Sequence, residues 1–279
     1  MSYKSILVQL DTSEAVNARL ELALRLAKQF DAHLTGLFTV FKPEPGSFNV
    51  MAGTAEYFVE REKVREEREG ALRRLFHAEL ARAKITGEWK VAAEHANTAV
   101  PKAARLADLT VISQDNPDDP ESYIADQFVE NLVLSAGRPV LLVPYAGQFP
   151  SIGSHVLFAW DGSREATRAL HDALPFLARA KQITVLTVNA LDDEMPASRI
   201  PGADIAAIIA RHGAKVVTEE IEGVRGVPVG EMLLTSASDL GADLIVMGCY
   251  GHSRWRELVL GGATRSILKS MTVPVLMSH

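Results

Sequence analysis

Apolar residues fall along this chain in two alternating rhythms. Short, nearly unbroken apolar runs such as Ile6–Leu10 are followed by longer stretches in which apolar residues return every three or four positions. A short unbroken run suits a strand covered on both faces, whereas the three-to-four spacing gathers side chains on one face of a helix. After the first run, Val16, Leu20, Ala23, Leu24 and Ala27 fall at i, i+4, i+7, i+8 and i+11. The strands expected in the first half are ILVQL, HLTGLFTV, a weaker WKVAAEH, LTVIS and PVLLVPY. Those expected in the second half are HVLFAW, QITVLTV, KVVTEEI, DLIVMG and PVLMS. Strands that alternate with helices predict parallel sheets covered on both faces, wound by right-handed crossovers into doubly wound α/β layers.

The rhythm is stated twice. SILVQLDTSEAVNARLELALRLAKQF from Ser5 matches HVLFAWDGSREATRALHDALPFLARA from His155, with Asp11 and Ser13 falling on Asp161 and Ser163 at an offset of 150. Ala166, Leu170, Ala173, Leu174 and Leu177 repeat the apolar helix face. Toward the ends, ADLTVI at 107–112 matches ADLIVM at 242–247, and RPVLLVPY at 138–145 matches VPVLMSH at 273–279, both at an offset of 135. Two tandem domains are therefore expected, 1–146 and 154–279, joined by AGQFPSIGS at 146–154, whose Gly, Pro and Ser suit a linker. Each copy closes on a strongly apolar strand that would be adhesive as a free edge, so the two closing strands are expected to pair, making a pseudo-dimer within one chain. The first copy carries an insertion at 41–80 that opens as a loop and becomes a charged amphipathic helix, EREKVREEREGALRR. Pro175 lies inside the second copy's first helical pattern and should kink or bound it.

Composition narrows the function. The 279 residues are 47% hydrophobic and 23% charged, with a net charge of −6. That balance argues against a general nucleic-acid binder or a protein held on anionic membranes. No apolar run reaches the length of a membrane span. The single cysteine, Cys249, leaves no intramolecular disulfide and suits a cytoplasmic setting.

Candidate chemistry collects where open α/β sheets bind ligands, beyond the carboxyl ends of the strands. In the second copy these ends carry Asp161, Val188, Met247 and Gly248. Gly251 follows, then nine residues, then Gly261, Gly262, Ala263 and Thr264 at the start of the last helical pattern. Glycines admit close approach of backbone N–H groups, and a helix N-terminus favours phosphate. Thr264 could add a hydroxyl, and Asp161 could accept from a ribose hydroxyl or a base amino group. The same glycines could equally do no more than turn the chain. At an offset of 135 the first copy has Ser113, Asn116, Asp126 and Gln127 in place of Gly248, Gly251, Gly261 and Gly262, so its cradle is degenerate. Cys249 and His252 are too few for a metal site. Ser163, His252 and Asp161 could be drawn as a triad, yet no Gly-x-Ser-x-Gly elbow is present, and neither is a Walker or Gly-x-Gly-x-x-Gly motif. Arg254 and Arg256 could screen phosphate or simply face solvent.

FAWDGS, LVQLDTS and GADLIVMGCYGHSRWRELVLGGATRSILKSMTVPVLMSH resemble the universal stress protein family in its tandem form, over nearly the whole chain. The resemblance implies two domains of the adenine-nucleotide alpha-hydrolase type. It also implies binding of ATP or a related adenine nucleotide, with Mg accompanying ATP, in a Gly-x2-Gly-x9-Gly cradle. Carried over by position, Asp161 and Val188 would border adenosine, Met247 and Gly248 ribose and base, and Gly251 with Gly261 to Thr264 the phosphates. The family's pattern places Ser or Thr where this chain has Gly262, which removes one side-chain contact and keeps a backbone N–H. The implied role is a cytoplasmic stress-response sensor or interaction switch, with protein partners, possible homodimerisation and at most slow ATP hydrolysis, since no general base stands out. The alternative reading is a nucleotide-free interaction module.

Overall fold

The computed structural model describes residues 2–39, 55–124, 127–189, 202–250 and 262–279. They fall into two compact units, Tyr3–Leu132 and Val133–His279.

The first unit begins with β1 (Ser5–Leu10), whose apolar run is buried. α1 (Val16–Phe30) follows, with Val16, Leu20, Ala23, Leu24 and Ala27 buried as the spacing predicts. It ends at Asp31, which takes a left-handed φ of 53° and lets its N–H reach back to the last helical carbonyls. β2 (His33–Phe38), α2 (Ala55–Ala83), β3 (Gly87–Val91), α3 (Ala96–Ala104) and β4 (Leu109–Ser113) complete the crossovers. The strands run parallel in the order β3-β2-β1-β4. The charged helix read in the insertion is part of α2, and residues 41–54 lie outside the described ones. Leu72, Phe76 and Leu80 on α2 are buried at four-residue spacing. A Cβ at Gly36 of β2 would lie 2.9 Å from the Phe76 ring, so the glycine makes room for this helix face on the sheet.

The second unit contains β5 (Val140–Val143), β6 (His155–Ala159), α5 (Arg164–Leu177), β7 (Gln182–Asn189), α6 (Gly202–Ala210), β8 (Val216–Glu222), α7 (Val229–Asp239), β9 (Leu244–Gly248), α8 (Gly262–Ser270) and β10 (Val275–Ser278). In chain order α4 (Phe128–Ala136) follows β4 and precedes β5. The order here is β5-β10-β9-β6-β7-β8. All neighbours are parallel except β5 and β10, which pair antiparallel with Val275 opposite Leu142 and Met277 opposite Val140. The two closing strands therefore do pair, as their shared apolar character leads one to expect. Pro175 sits in the last turn of α5 and the helix continues to Leu177. A proline there removes one terminal hydrogen bond without breaking a long interior run.

The repeat also extends to a polar tie. Asp108 accepts from the backbone N–H groups of Lys4 (2.8 Å) and Ser5 (3.0 Å). Asp243, its counterpart at an offset of 135, accepts from those of Ser154 (3.2 Å) and His155 (3.0 Å). In each copy a carboxylate before the fourth strand anchors the start of the first.

Candidate functional site

Parallel register brings the second copy's candidates to one edge. Ala159 of β6 pairs with Leu186 of β7 and Met247 of β9, so the carboxyl ends of the three strands lie side by side. Asp161 stands two residues beyond Ala159, Val188 two beyond Leu186, and Gly248 one beyond Met247. Asp161 is exposed, and its Oδ1 accepts from Ser163 N at 2.9 Å. Ser163 caps α5, its hydroxyl accepting from Ala166 N at 3.0 Å. Gly162 between them takes a φ of 77°, which the short Asp-Gly-Ser turn needs and a side chain would resist.

α8 starts beside this edge. The Thr264 side chain hydrogen-bonds with the Cys249 thiol, and both residues are buried. The Thr264 hydroxyl is therefore engaged within the protein. Ala263 is half-buried, and Gly262 is exposed, with no described residue within 4 Å of where a Cβ would stand. Gly251, Gly261, His252, Arg254 and Arg256 lie outside the described residues.

Gly248 has a structural task that sequence reasoning missed. A Cβ there would lie 2.4 Å from both Ala166 N and the Glu165 carbonyl carbon. The missing side chain lets the first turn of α5 close onto the end of β9. The left-handed turn after β9 falls not on this glycine but on Tyr250, with a φ of 62°.

Burial pushes the Cys249 thiol far above the ordinary thiol range, and the nearby Asp161 charge adds to the shift against the opposing Thr264 hydrogen bond. A thiol kept protonated and out of solvent is a poor nucleophile. We predict that Ellman's reagent labels the native protein at mildly alkaline pH only at the rate of unfolding. Rapid, urea-independent labelling would show that this edge opens freely.

The first copy has the same strand ends filled from within. Asp11 is 2% exposed and Arg19, on α1, is 1% exposed, with Nη2 2.8 Å from Asp11 Oδ1. The same Oδ1 accepts from Ser13 N at 3.0 Å and from the Ser13 hydroxyl at 2.5 Å. Asp11 Oδ2 accepts from Gln9 Nε2 at 3.0 Å, and that amide also donates to Thr39 Oγ1 at 3.1 Å. The segment after β4 closes over the turn before α1. Asp119 accepts from Glu14 N at 2.9 Å, and Thr12 donates to Glu121 at 2.5 Å. The sequence signal for this closure is one residue: at an offset of 150, Arg19 falls opposite Ala169, which is fully buried in α5. Among the described residues no group of three or more His, Cys, Asp or Glu side chains could hold a metal ion, and no described helix is long and apolar enough to cross a membrane.

Comparison with known proteins agrees with the duplicated fold. A universal stress protein from Archaeoglobus fulgidus superposes with a TM-score of 0.72 at 18% identity, covering 98% of this chain and 95% of that one. A functionally unknown protein, PA1789 from Pseudomonas aeruginosa PAO1, superposes with a TM-score of 0.63 at 17% identity over 99% and 92%. In sequence, the chain is 30% identical over 153 residues to universal stress protein Slr1230 of Synechocystis, covering 53% of this chain and 49% of the relative. It is 37% identical over 54 residues to universal stress protein MJ0577 of Methanocaldococcus jannaschii, covering 19% and 33%. The chain thus spans about half the length of the first of these relatives and a third of the second. The universal stress protein pattern matches residues 2–144 and again 154–279. Two matches that together take in nearly the whole chain place it in the universal stress protein family, in tandem form.

Proposed function

We propose that this chain is a cytoplasmic stress-response protein that binds one adenine nucleotide, ATP or a close relative, in its C-terminal copy and acts as a sensor or interaction switch. One observation carries the reading: Asp161 faces solvent at the joined ends of β6, β7 and β9, whereas its counterpart Asp11 is buried under Arg19. Asp161 can accept from base or ribose donors. The N-terminus of α8, where Gly262 is exposed and Ala263 half-buried, suits phosphate oxygens. The described residues therefore fit the nucleotide, which would supply the charge and ordering that switch a surface. Magnesium, where present, would be held through the phosphates, as that ion prefers.

The use of Gly248 for helix packing favours a second reading, a nucleotide-free interaction module. Mass spectrometry of small molecules released from the denatured protein, with calorimetry of added ATP, separates the two. We expect one nucleotide per chain, and an affinity loss of roughly tenfold in Asp161→Ala, the cost of one hydrogen bond to a charged group. No released nucleotide and no heat of binding would leave the second reading standing, and a stoichiometry of two would contradict the asymmetry.

A further inference from the structure

One side of α2 packs on the sheet through the buried Leu72, Phe76 and Leu80. A second stripe runs along the helix about a third of a turn away and faces solvent. Val64, Ala71, Leu75 and Ala78 fall on it at helical spacing, and all four are exposed. Val64 (41% exposed) and Leu75 (40%) are large apolar side chains that the chain's own fold leaves uncovered. The charges beside the stripe are ordered, not mixed. Glu60 and Glu67 stand before Ala71, Arg74 and Arg82 after it, and all four are exposed. Glu60, Glu67 and Arg74 are spaced seven residues apart, so they share one flank. The opposite flank carries Arg68 before Ala71 and Glu79 after it, again of opposite sign.

Reversing the helix about Ala71 lays this pattern on its own complement. Val64 and Ala78 stand seven residues either side of Ala71, and Glu60 and Arg82 eleven either side. Glu67, four residues before, falls beside Arg74, three after. We propose that α2 docks antiparallel on α2 of a second copy of this chain, with Ala71 of both copies at the twofold axis. Val64 then packs on Ala78, and Glu67 meets Arg74, each contact occurring twice by symmetry. The small side chains of Ala71 and Ala78 let the two helices approach. Arg82 already pairs with Glu79 on its own helix at 2.6 Å, so the Glu67–Arg74 contact sets the register. The closing strands β5 and β10 pair with each other, and this contact uses a different element. The seam is narrow and its charges are exposed, so dissociation is expected in the micromolar range.

Sedimentation velocity of the full chain, from micromolar to sub-millimolar concentration, reads the association. It uses no nucleotide, so its outcome is independent of the function proposed above. The unmodified chain should pass from monomer to dimer, and added salt should weaken the dimer. Glu67→Arg or Arg74→Glu alone should weaken it about tenfold, because each turns two attractive contacts repulsive. The exchange Glu67→Arg/Arg74→Glu restores opposite signs and should bring the affinity back to within about threefold of the unmodified chain. Ala71→Glu sets two acids at the axis and should abolish the dimer. Every substituted position is exposed, and circular dichroism checks that each variant is folded. A chain that stays monomeric throughout, a dimer that the single substitutions leave unchanged, or an exchange no better than the singles would each overturn the proposal.

Discussion

Asp11→Ala is expected to lower the unfolding free energy by about 3–5 kcal/mol, whereas Asp161→Ala should cost only about 1 kcal/mol. The two aspartates occupy the same place in the repeat, and the difference comes from what surrounds them. Removing Asp11 leaves the Arg19 charge in an interior it cannot leave, since both groups are almost fully covered. It also releases Gln9 and the Ser13 hydroxyl from their shared acceptor. Removing Asp161 takes away its bond to Ser163 N at an exposed turn, where water can replace what is lost. Urea denaturation of the two single variants measures both numbers under one set of conditions. Equal losses would mean that the buried pair is no more consequential than a surface turn. A near-neutral Asp11→Ala would mean that Arg19 finds another way to water.

Gly248→Ala is the second change with a large expected effect, about 3 kcal/mol of lost stability. The added Cβ would stand 2.4 Å from two backbone atoms of the first turn of α5. Backbone cannot swing aside as the tip of a long side chain can, so β9 or α5 must shift, at the upper end of what overpacking usually costs. Gly262→Ala supplies the contrast. No described residue lies within 4 Å of a Cβ at Gly262, and the residue is helical. Alanine there should stabilise α8 by about 0.5–1 kcal/mol through helix propensity and a stiffer unfolded chain. Denaturation midpoints check both. If Gly248→Ala were neutral, the close approach of α5 to β9 would not be a requirement of the fold.

The architecture could be read from the chain because buried parallel strands and amphipathic helices write a strong pattern. Val16, Leu20, Ala23, Leu24 and Ala27 are buried as their spacing requires, and so are their counterparts in α5. The repeat offsets extended this to the closing strands and to paired aspartates such as Asp108 and Asp243. What could not be read was the interior use of polar and glycine positions. Arg19 lies one residue before Leu20, within the apolar stretch of α1, yet any arginine in a helix reads first as solvent-facing. Only its placement opposite Ala169 marks it out. Gly248 and Gly262 look alike in sequence. One is needed for helix–strand packing and the other is open, a difference set by neighbours some 80 residues away in the chain for Gly248. Asp119 reaches Glu14 N over a comparable gap, and no local pattern announces it.

The antiparallel pairing of β5 with β10 bears on how such a duplicated chain can diverge. The interior of a repeat can change, and in the first copy Arg19 sits against the strand-end carboxylate Asp11 where the second copy has Ala169. A duplicated strand has no such freedom when its hydrogen-bonding partner is the closing strand of the other repeat. Val140–Val143 must stay apolar and extended for as long as Val275–Ser278 need an edge to bond to. The polar interior of the first repeat can therefore change while its last strand stays held by its partner.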